Sequence, residues 1–497
     1  MKTIIPAVIA AISLLHSAAN AQTQGIAYPT VGKGVATTFV TDYHSLGINS
    51  STLGWGNKYS KSITTGITES SFGMYSDSLN VDKLKSLWQA VRSDWRDETS
   101  DATWEEQRQN AIDYMNSGIA FDANFNWLGF SYQNEKFGGI AFSINESYNW
   151  YSQMNEDMTD LIFRGRLSSY FDSLTVVFGT DTSQIVNHAT LSDDTLQNVI
   201  MGTLSAPLML SQLTSGSSVK FTWNRYYNVG YGRKLFGNDS TFALYGGIGG
   251  RFIQSMAMFD MESDANTIKM FTSYNPNYEF DYGAIANFNP SDYTVQSFIP
   301  KPVGSGYGVD LSVSTVLFGN IRVAAAVNNI GSVTYTRNVY TVQDTLVGQM
   351  SLAGLDNANL TNAAYSLLED GGIVNLVGQE KYVVKNASNY RFGASMEIGE
   401  FTRFGFDVVG PFNPDNPGSL ANPVISVGGD IRPLKWLYIS AGYLGGGIYK
   451  HNIPLGINFV VGGGTYEFGI SSRDALSFIV DGSNSISTAF GFVRFRF

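Results

Sequence analysis

A two-residue rhythm constrains this chain more than any other feature. Val219, Phe221, Trp223, Tyr227, Val229 and Tyr231 alternate with Lys220, Thr222, Asn224, Asn228, Gly230 and Gly232. A turn at Phe236-Gly-Asn-Asp-Ser240 reverses the chain, and Phe242, Leu244, Ile248 and Phe252 then alternate with Ala243, Tyr245, Gly247, Gly249 and Arg251. Alternation sustained this long dictates strands, not helices. In water, a sheet so long and so apolar on one face would aggregate through any open edge. In a closed wall, with one face on lipid and the other wet, the same pattern is expected.

The rhythm recurs. Ile119-Phe121-Ala123-Phe125-Trp127 turns at Asn134-Glu-Lys136 into Ile140-Phe142-Ile144, and Tyr307-Val309-Leu311-Val313 turns at Phe318-Gly-Asn320 into Ile321-Val323-Ala325-Val327. Phe392-Ala394-Met396-Ile398 turns at Gly399-Glu400 into Phe404-Phe406-Val408. Ile425-Val427-Ile431 turns at Arg432-Pro-Leu-Lys435 into a strand over 436–443, and Leu455-Ile457-Phe459-Val461 turns at Gly462-Gly-Gly464 into Tyr466-Phe468-Ile470. Between the hairpins lie longer segments, roughly 65 residues after Trp150 and roughly 45 after Phe259 and after Tyr340. Short turns on one side and long loops on the other mark an outer-membrane barrel. A first strand near 62–75 and a last at 485–497 bring the count to about 14, an even number that leaves both ends on the periplasmic side.

Both ends of the chain agree with this reading. The last residues, Phe490-Gly-Phe-Val-Arg-Phe-Arg-Phe497, stop on an aromatic inside a strand pattern, as a barrel's closing strand does. At the start, Lys2, an apolar core at 4–15 and Ala19-Asn20-Ala21 form the three regions of a signal peptide cleaved after Ala21. The expected division is a signal peptide at 1–21, an N-terminal segment at 22–56 and a barrel at 57–497. After the signal no run of about 18 apolar residues occurs, so helical spans are not expected. There is no cysteine, which removes lipid acylation and any disulfide or thiolate–metal framework. The net charge of −11 argues against nucleic acid as a partner.

Two stretches leave the strand pattern in the first long loop. Leu84, Leu87, Trp88 and Val91 have helical spacing over 80–91, and Thr103-Trp-Glu-Glu106 reads as a capping box opening a helix to Met115. The acidic residues Asp94, Asp97, Glu98, Asp101, Glu105 and Glu106 between and within them read as a solvated face, or as a contact to divalent cations and lipopolysaccharide.

The segment before the first strand carries a family likeness. Val31-Gly-Lys-Gly-Val-Ala-Thr-Thr-Phe-Val-Thr-Asp-Tyr-His-Ser-Leu-Gly-Ile-Asn-Ser-Ser-Thr-Leu-Gly54 resembles the N-terminal hatch of FadL-type and PorV-type outer-membrane barrels, with the Pro and Ala of their Asn-Pro-Ala-x-Leu-Gly turn replaced in Asn49-Ser50-Ser51-Thr52-Leu53-Gly54. Gly118-Ile-Ala-Phe-Asp-Ala-Asn-Phe-Asn-Trp-Leu-Gly-Phe-Ser-Tyr132, Phe137-Gly-Gly-Ile-Ala-Phe-Ser-Ile144, Ser471-Ser-Arg-Asp474 and the C-terminal run resemble an uncharacterised Bacteroidota barrel family of that superfamily. The resemblance spans nearly the whole mature chain and implies a 14-stranded all-β barrel, antiparallel throughout, with an N-terminal hatch.

Enzyme constellations are not legible. The four histidines, His16, His44, His188 and His451, are scattered with no zinc spacing, and Gly246-Gly-Ile-Gly-Gly250 lies inside a strand, not before a helix. No catalytic, cofactor or metal residue is assigned. Alternation instead points Asp122, Arg251, Asp310, Arg322, Arg391, Glu397, Asp407, Asp430, Glu467, Arg494 and Arg496 inward, with the aromatics Tyr226, Tyr245, Phe490 and Phe492 on the same face. These charges form either a network that holds wall and hatch, with Glu467 facing Arg494 or Arg496, or a polar conduit. Two functions follow as expectations in the outer membrane, among lipid and lipopolysaccharide. One is gated uptake of a hydrophobic or amphipathic small molecule, the hatch acting as gate. The other is a PorV-like scaffold holding an envelope protein partner in secretion or surface assembly.

Overall fold

The computed structural model describes residues 27–56, 59–77, 113–188, 191–274, 301–352, 374–447, 451–475 and 485–497. Fourteen strands form the wall: β1 Ile63–Ser76, β2 Ile119–Asn134, β3 Gly138–Gln153, β4 Ser218–Asn238, β5 Phe242–Ser263, β6 Gly304–Leu317 and β7 Ile321–Tyr335, followed by β8 Asn389–Ile398, β9 Thr402–Pro411, β10 Val424–Leu434, β11 Leu437–Gly446, β12 Leu455–Val461, β13 Tyr466–Ser472 and β14 Ser485–Arg496. Each pairs antiparallel with its neighbour in this order, with long insertions between β1 and β2, β3 and β4, β5 and β6, and β7 and β8. The last strand meets the first, with Thr64 opposite Arg496 and Tyr75 opposite Ser485. The N–H groups of Ile63 and Phe497 each donate to the other's carbonyl, at 3.1 and 2.9 Å. Closure leaves no unpaired edge in lipid, where each unsatisfied backbone group would be costly. The hairpins and strand count expected from alternation are those observed, and this is a closed all-β barrel.

Alternation breaks at a common level on three adjacent strands. On β1 both Ile67 and Thr68 face out, with Gly66 and Glu69 buried on either side. On β2 the outward pair is Trp127 and Leu128, between Asn126 and Gly129, and on β14 it is Phe492 and Val493, between Gly491 and Arg494. Thr68 takes a left-handed φ of 55° to make the step. The three strands switch face together, so pairing within the trio keeps one register, Ile67 opposing both Leu128 and Val493. The register slips at the two margins, between β2 and β3 and between β13 and β14. This corrects one expectation: Phe490 and Phe492 lie outside, Phe490 stacked on Phe72 with ring centroids 6.3 Å apart, although Arg494 and Arg496 are buried inside. Strict period two cannot carry a face assignment across such a bulge.

On the long-loop side the insertions build a cap. Strands Ser173–Phe178, Asp181–Val186, Val199–Met209 and Leu346–Met350 form a second sheet. The helix Glu156–Arg164, capped by Asn155 accepting the Met158 N–H at 2.8 Å, packs beside it. Leu161, Phe171, Leu210, Leu213, Val347 and Met350 are its buried core. The expected helix at 80–91 and the acidic stretch lie outside the described residues. So does the signal segment, and of the helix expected to end at Met115 only a helical end at 113–117 is described.

Candidate functional site: a plugged lumen

Within residues 27–56, Ala27, Ala36, Val40 and Ile48 make a small apolar cluster, too little to order the segment by itself, so much of its order comes from the wall. They are bonded to it almost all the way round. Ser471 on β13 donates to the Tyr28 carbonyl at 2.7 Å, and Lys33 meets Asp430 on β10 at 2.6 Å. The N–H groups of Ala36 and Thr37 donate to Asp407 Oδ2 on β9 at 2.6 and 2.8 Å, and Arg403 donates to the Thr38 carbonyl. Gln133 on β2 donates to the carbonyls of Thr41 and Leu53, Asn328 on β7 to that of Ile48, and Ser51 Oγ donates to Ser314 Oγ on β6 at 2.7 Å. A segment tied to strands around the whole ring lies inside it. Two glycines let it approach: a Cβ on Gly32 would sit 2.5 Å from Gly456 Cα.

At the level of the face switch a buried charge chain joins plug to seam. Glu69 of β1, fully buried, accepts from the Tyr43 hydroxyl at 2.6 Å and from the Asn126 amide at 2.7 Å, and its Oε2 lies 2.8 Å from His44 Nε2. Asp42 accepts the His44 N–H at 3.1 Å and pairs with Arg494. Arg494 in turn lies 3.1 Å from Glu467, which also binds Arg496. Burial alone would push the Asp42 carboxyl's pKa up, but the Arg494 guanidinium beside it holds it below the ordinary carboxylate range. Burial pushes the Lys33 ammonium down from its ordinary value, against the pull of Asp430.

The residues singled out from sequence fall into this frame unequally. Asp407, Asp430 and Arg494 bind the plug directly; Glu467 lies opposite Arg494 in register and ties Arg494 and Arg496 together. Arg251 pairs with Asp310 at 2.7 Å, Arg322 with Glu397 at 3.1 Å, and Asp122 lies 3.7 Å from Arg473. Arg391 is buried with no carboxylate within 4.0 Å among the described residues. Sequence reasoning missed Lys33, Asp42, His44 and Glu69. The alternation already set Asn224 and Asn228 on the wet face, and Asn124 and Asn126 on β2 and Asn145 and Asn149 on β3 follow the same even spacing.

The plug leaves a cavity on each side. Toward the cap, a chamber of about 140 Å³ is lined by Leu46, Gly47 and Ile48 of the plug, by nine asparagines and by Arg251, Lys385 and Arg391. Toward the short turns, one of about 270 Å³ is lined by charges of both signs, among them Lys33, Asp42, Arg322, Glu397, Arg403, Arg432 and Arg496.

A closed 14-stranded antiparallel wall with its N-terminal segment folded into the lumen defines a plugged β-barrel. The chain belongs to the family described as "Family of unknown function (DUF5723)", whose model matches residues 178–468, more than half of it. No curated protein matches. Among solved structures it is similar to a TodX deletion mutant described as a monoaromatic hydrocarbon channel, at 9% identity, covering 95% of this chain and 99% of that one, with a TM-score of 0.46. It is also similar to the Pseudomonas putida toluene transporter TodX (10% identity, 96% and 99% coverage, TM-score 0.42) and to a Pseudomonas aeruginosa FadL homologue (9%, 96% and 99%, 0.40).

Proposed function

We propose that the barrel passes a small amphipathic solute from the cell surface inward, with residues 27–56 as the gate. The observation that carries this reading is the plug's position between two cavities, tied to the wall by many hydrogen bonds and ion pairs and by only small apolar clusters, such as Tyr43 and Leu53 on Ala141 and Tyr28 and Val31 on Ala489. As the plug moves, these groups can exchange protein partners for water, so the seal can yield without exposing a large apolar core. The outer chamber supports an amphipathic cargo: amides and cations line one part of it, Ile253, Met258, Val333 and Tyr335 another. Deleting residues 22–42 should leave a folded barrel with raised conductance in planar bilayers. Unchanged conductance in a correctly folded truncation would remove the gating idea.

A second reading rests on the cap, whose sheet, helix and buried core give the outer surface a shaped, folded platform. Such a platform suits a barrel that holds a protein partner. Affinity isolation from native outer membranes decides between the two: a stoichiometric protein partner that is lost on removing residues 173–209 favours the scaffold.

A further inference from the structure

The outer chamber is built of groups that its walls do not need. Asn124, Asn145, Asn149, Asn224 and Asn228 sit on three adjacent strands, although asparagine is a poor strand former. Some of their hydrogen bonds are internal: Asn149 Nδ2 donates to Ser147 and Thr222 at 3.1 and 3.2 Å, and Asn228 Nδ2 to Ser143 at 3.1 Å. The other end of the amide is left over, however, with Oδ1 of Asn145, of Asn149 and of Asn224 buried without a partner. A buried amide normally finds one.

Arg391 adds a charge to the same chamber. It is 6% exposed, its Nε has no partner, and no carboxylate stands within ion-pair distance among the described residues. Its neighbour Arg251 is neutralised by Asp310, and Asp407, on the strand next to Arg391, gives its Oδ2 to the plug and acts on Arg391 only from beyond ion-pair distance. No acidic residue among those described lines the chamber, although the whole chain carries a net charge of −11. A buried unpaired guanidinium is costly, and a bidentate anion is what best relieves it. The same chamber is lined by the rings of Tyr226, set between Asn224 and Asn228, and Tyr335, with Ile253 and Val333.

We infer that the chamber binds a small hydroxyl-rich carboxylate of the sugar-acid class. Its carboxylate sits on Arg391, its hydroxyls donate to the spare amide oxygens, and the C–H face of its ring lies on the tyrosines. An alkyl carboxylate satisfies the guanidinium and leaves the amides unpaired; a neutral sugar does the reverse. Discrimination comes from those unpaired groups. This deepens the passage reading, on which its transport meaning rests, but the binding itself is measured with the plug in place.

The test is calorimetric titration of the detergent-solubilised full-length barrel with D-glucuronate, D-glucose and hexanoate. Glucuronate should bind saturably, and the other two at least roughly tenfold more weakly, each forgoing charge-assisted or amide hydrogen bonds. Arg391→Gln should reduce glucuronate to the level of glucose and leave glucose unchanged. Asn149→Leu should weaken glucuronate and leave hexanoate unchanged. The wild-type ranking decides even if a variant fails to show the heat-modifiable mobility of a folded barrel. Absence of saturable glucuronate binding, or hexanoate binding as tightly as glucuronate, overturns the inference. Glucuronate binding alongside unchanged conductance of the plug deletion would overturn the passage reading alone.

Discussion

Glu69 shows how one carboxylate can fasten the plug to the wall. Its two oxygens face the Tyr43 hydroxyl, the His44 ring and the Asn126 amide, so one wall residue serves two residues of the plug and one of the next strand. Replacing it with leucine strands those groups in a buried place, at about 1–3 kcal/mol for each one left unsatisfied. Glu69→Leu should therefore loosen the plug, exposing Lys33 to trypsin in otherwise folded barrels, and Glu69→Gln, which keeps the shape and some acceptor capacity, should do so less. Equal protection of Lys33 in wild type and Glu69→Leu would show that the contact holds nothing. Nothing in the sequence marked Glu69. It follows two residues that both face outward, so simple alternation carried on from Gly66 would have placed it in lipid.

At the scale of the element, legibility followed local physics. The six hairpins were readable because each couples long alternation to a short turn, and these signals are local in sequence. The face of a strand beyond a bulge was not, since the switch at Thr68, Leu128 and Val493 answers to pairing between strands remote in sequence. The plug's contacts were hidden for the same reason: Lys33 and Asp430 are far apart along the chain, and no spacing announces them. The switch makes a sharp prediction. If Phe492 faced the lumen, arginine there would join Arg494 and Arg496 in a polar interior. On the observed outer face, Phe492→Arg should destabilise the barrel by about 2–4 kcal/mol near the midplane, and Phe492→Leu should be nearly silent. Denaturant titration in lipid vesicles measures both, and a tolerated arginine would refute the outward placement.

At the scale of the molecule, wall and plug form one hydrogen-bonded body. The absence of native cysteine allows a clean test of whether they must part. Ser51 Oγ and Ser314 Oγ lie 2.7 Å apart, close enough for a cysteine pair to bridge plug and β6. The doubly substituted barrel, Ser51→Cys with Ser314→Cys, should lose solute flux into liposomes when oxidised and regain it on reduction. Flux that ignores the cross-link would mean the plug need not move.

The face switch also bears on how the ring comes to close. It lies on β14, β1 and β2, so it straddles the seam where the end of the chain finds its beginning. A seam made only of regular strands could slip by two residues, keeping every side chain on its face, with small penalty. Here such a slip sets the paired outward step of one strand against a regular stretch of the other. A slip of one residue, which reverses facing, would turn Glu69, or Arg494 and Arg496, toward lipid. The irregularity thus works as a key cut into both lips of the seam, and it penalises misjoined rings before the outer membrane receives them.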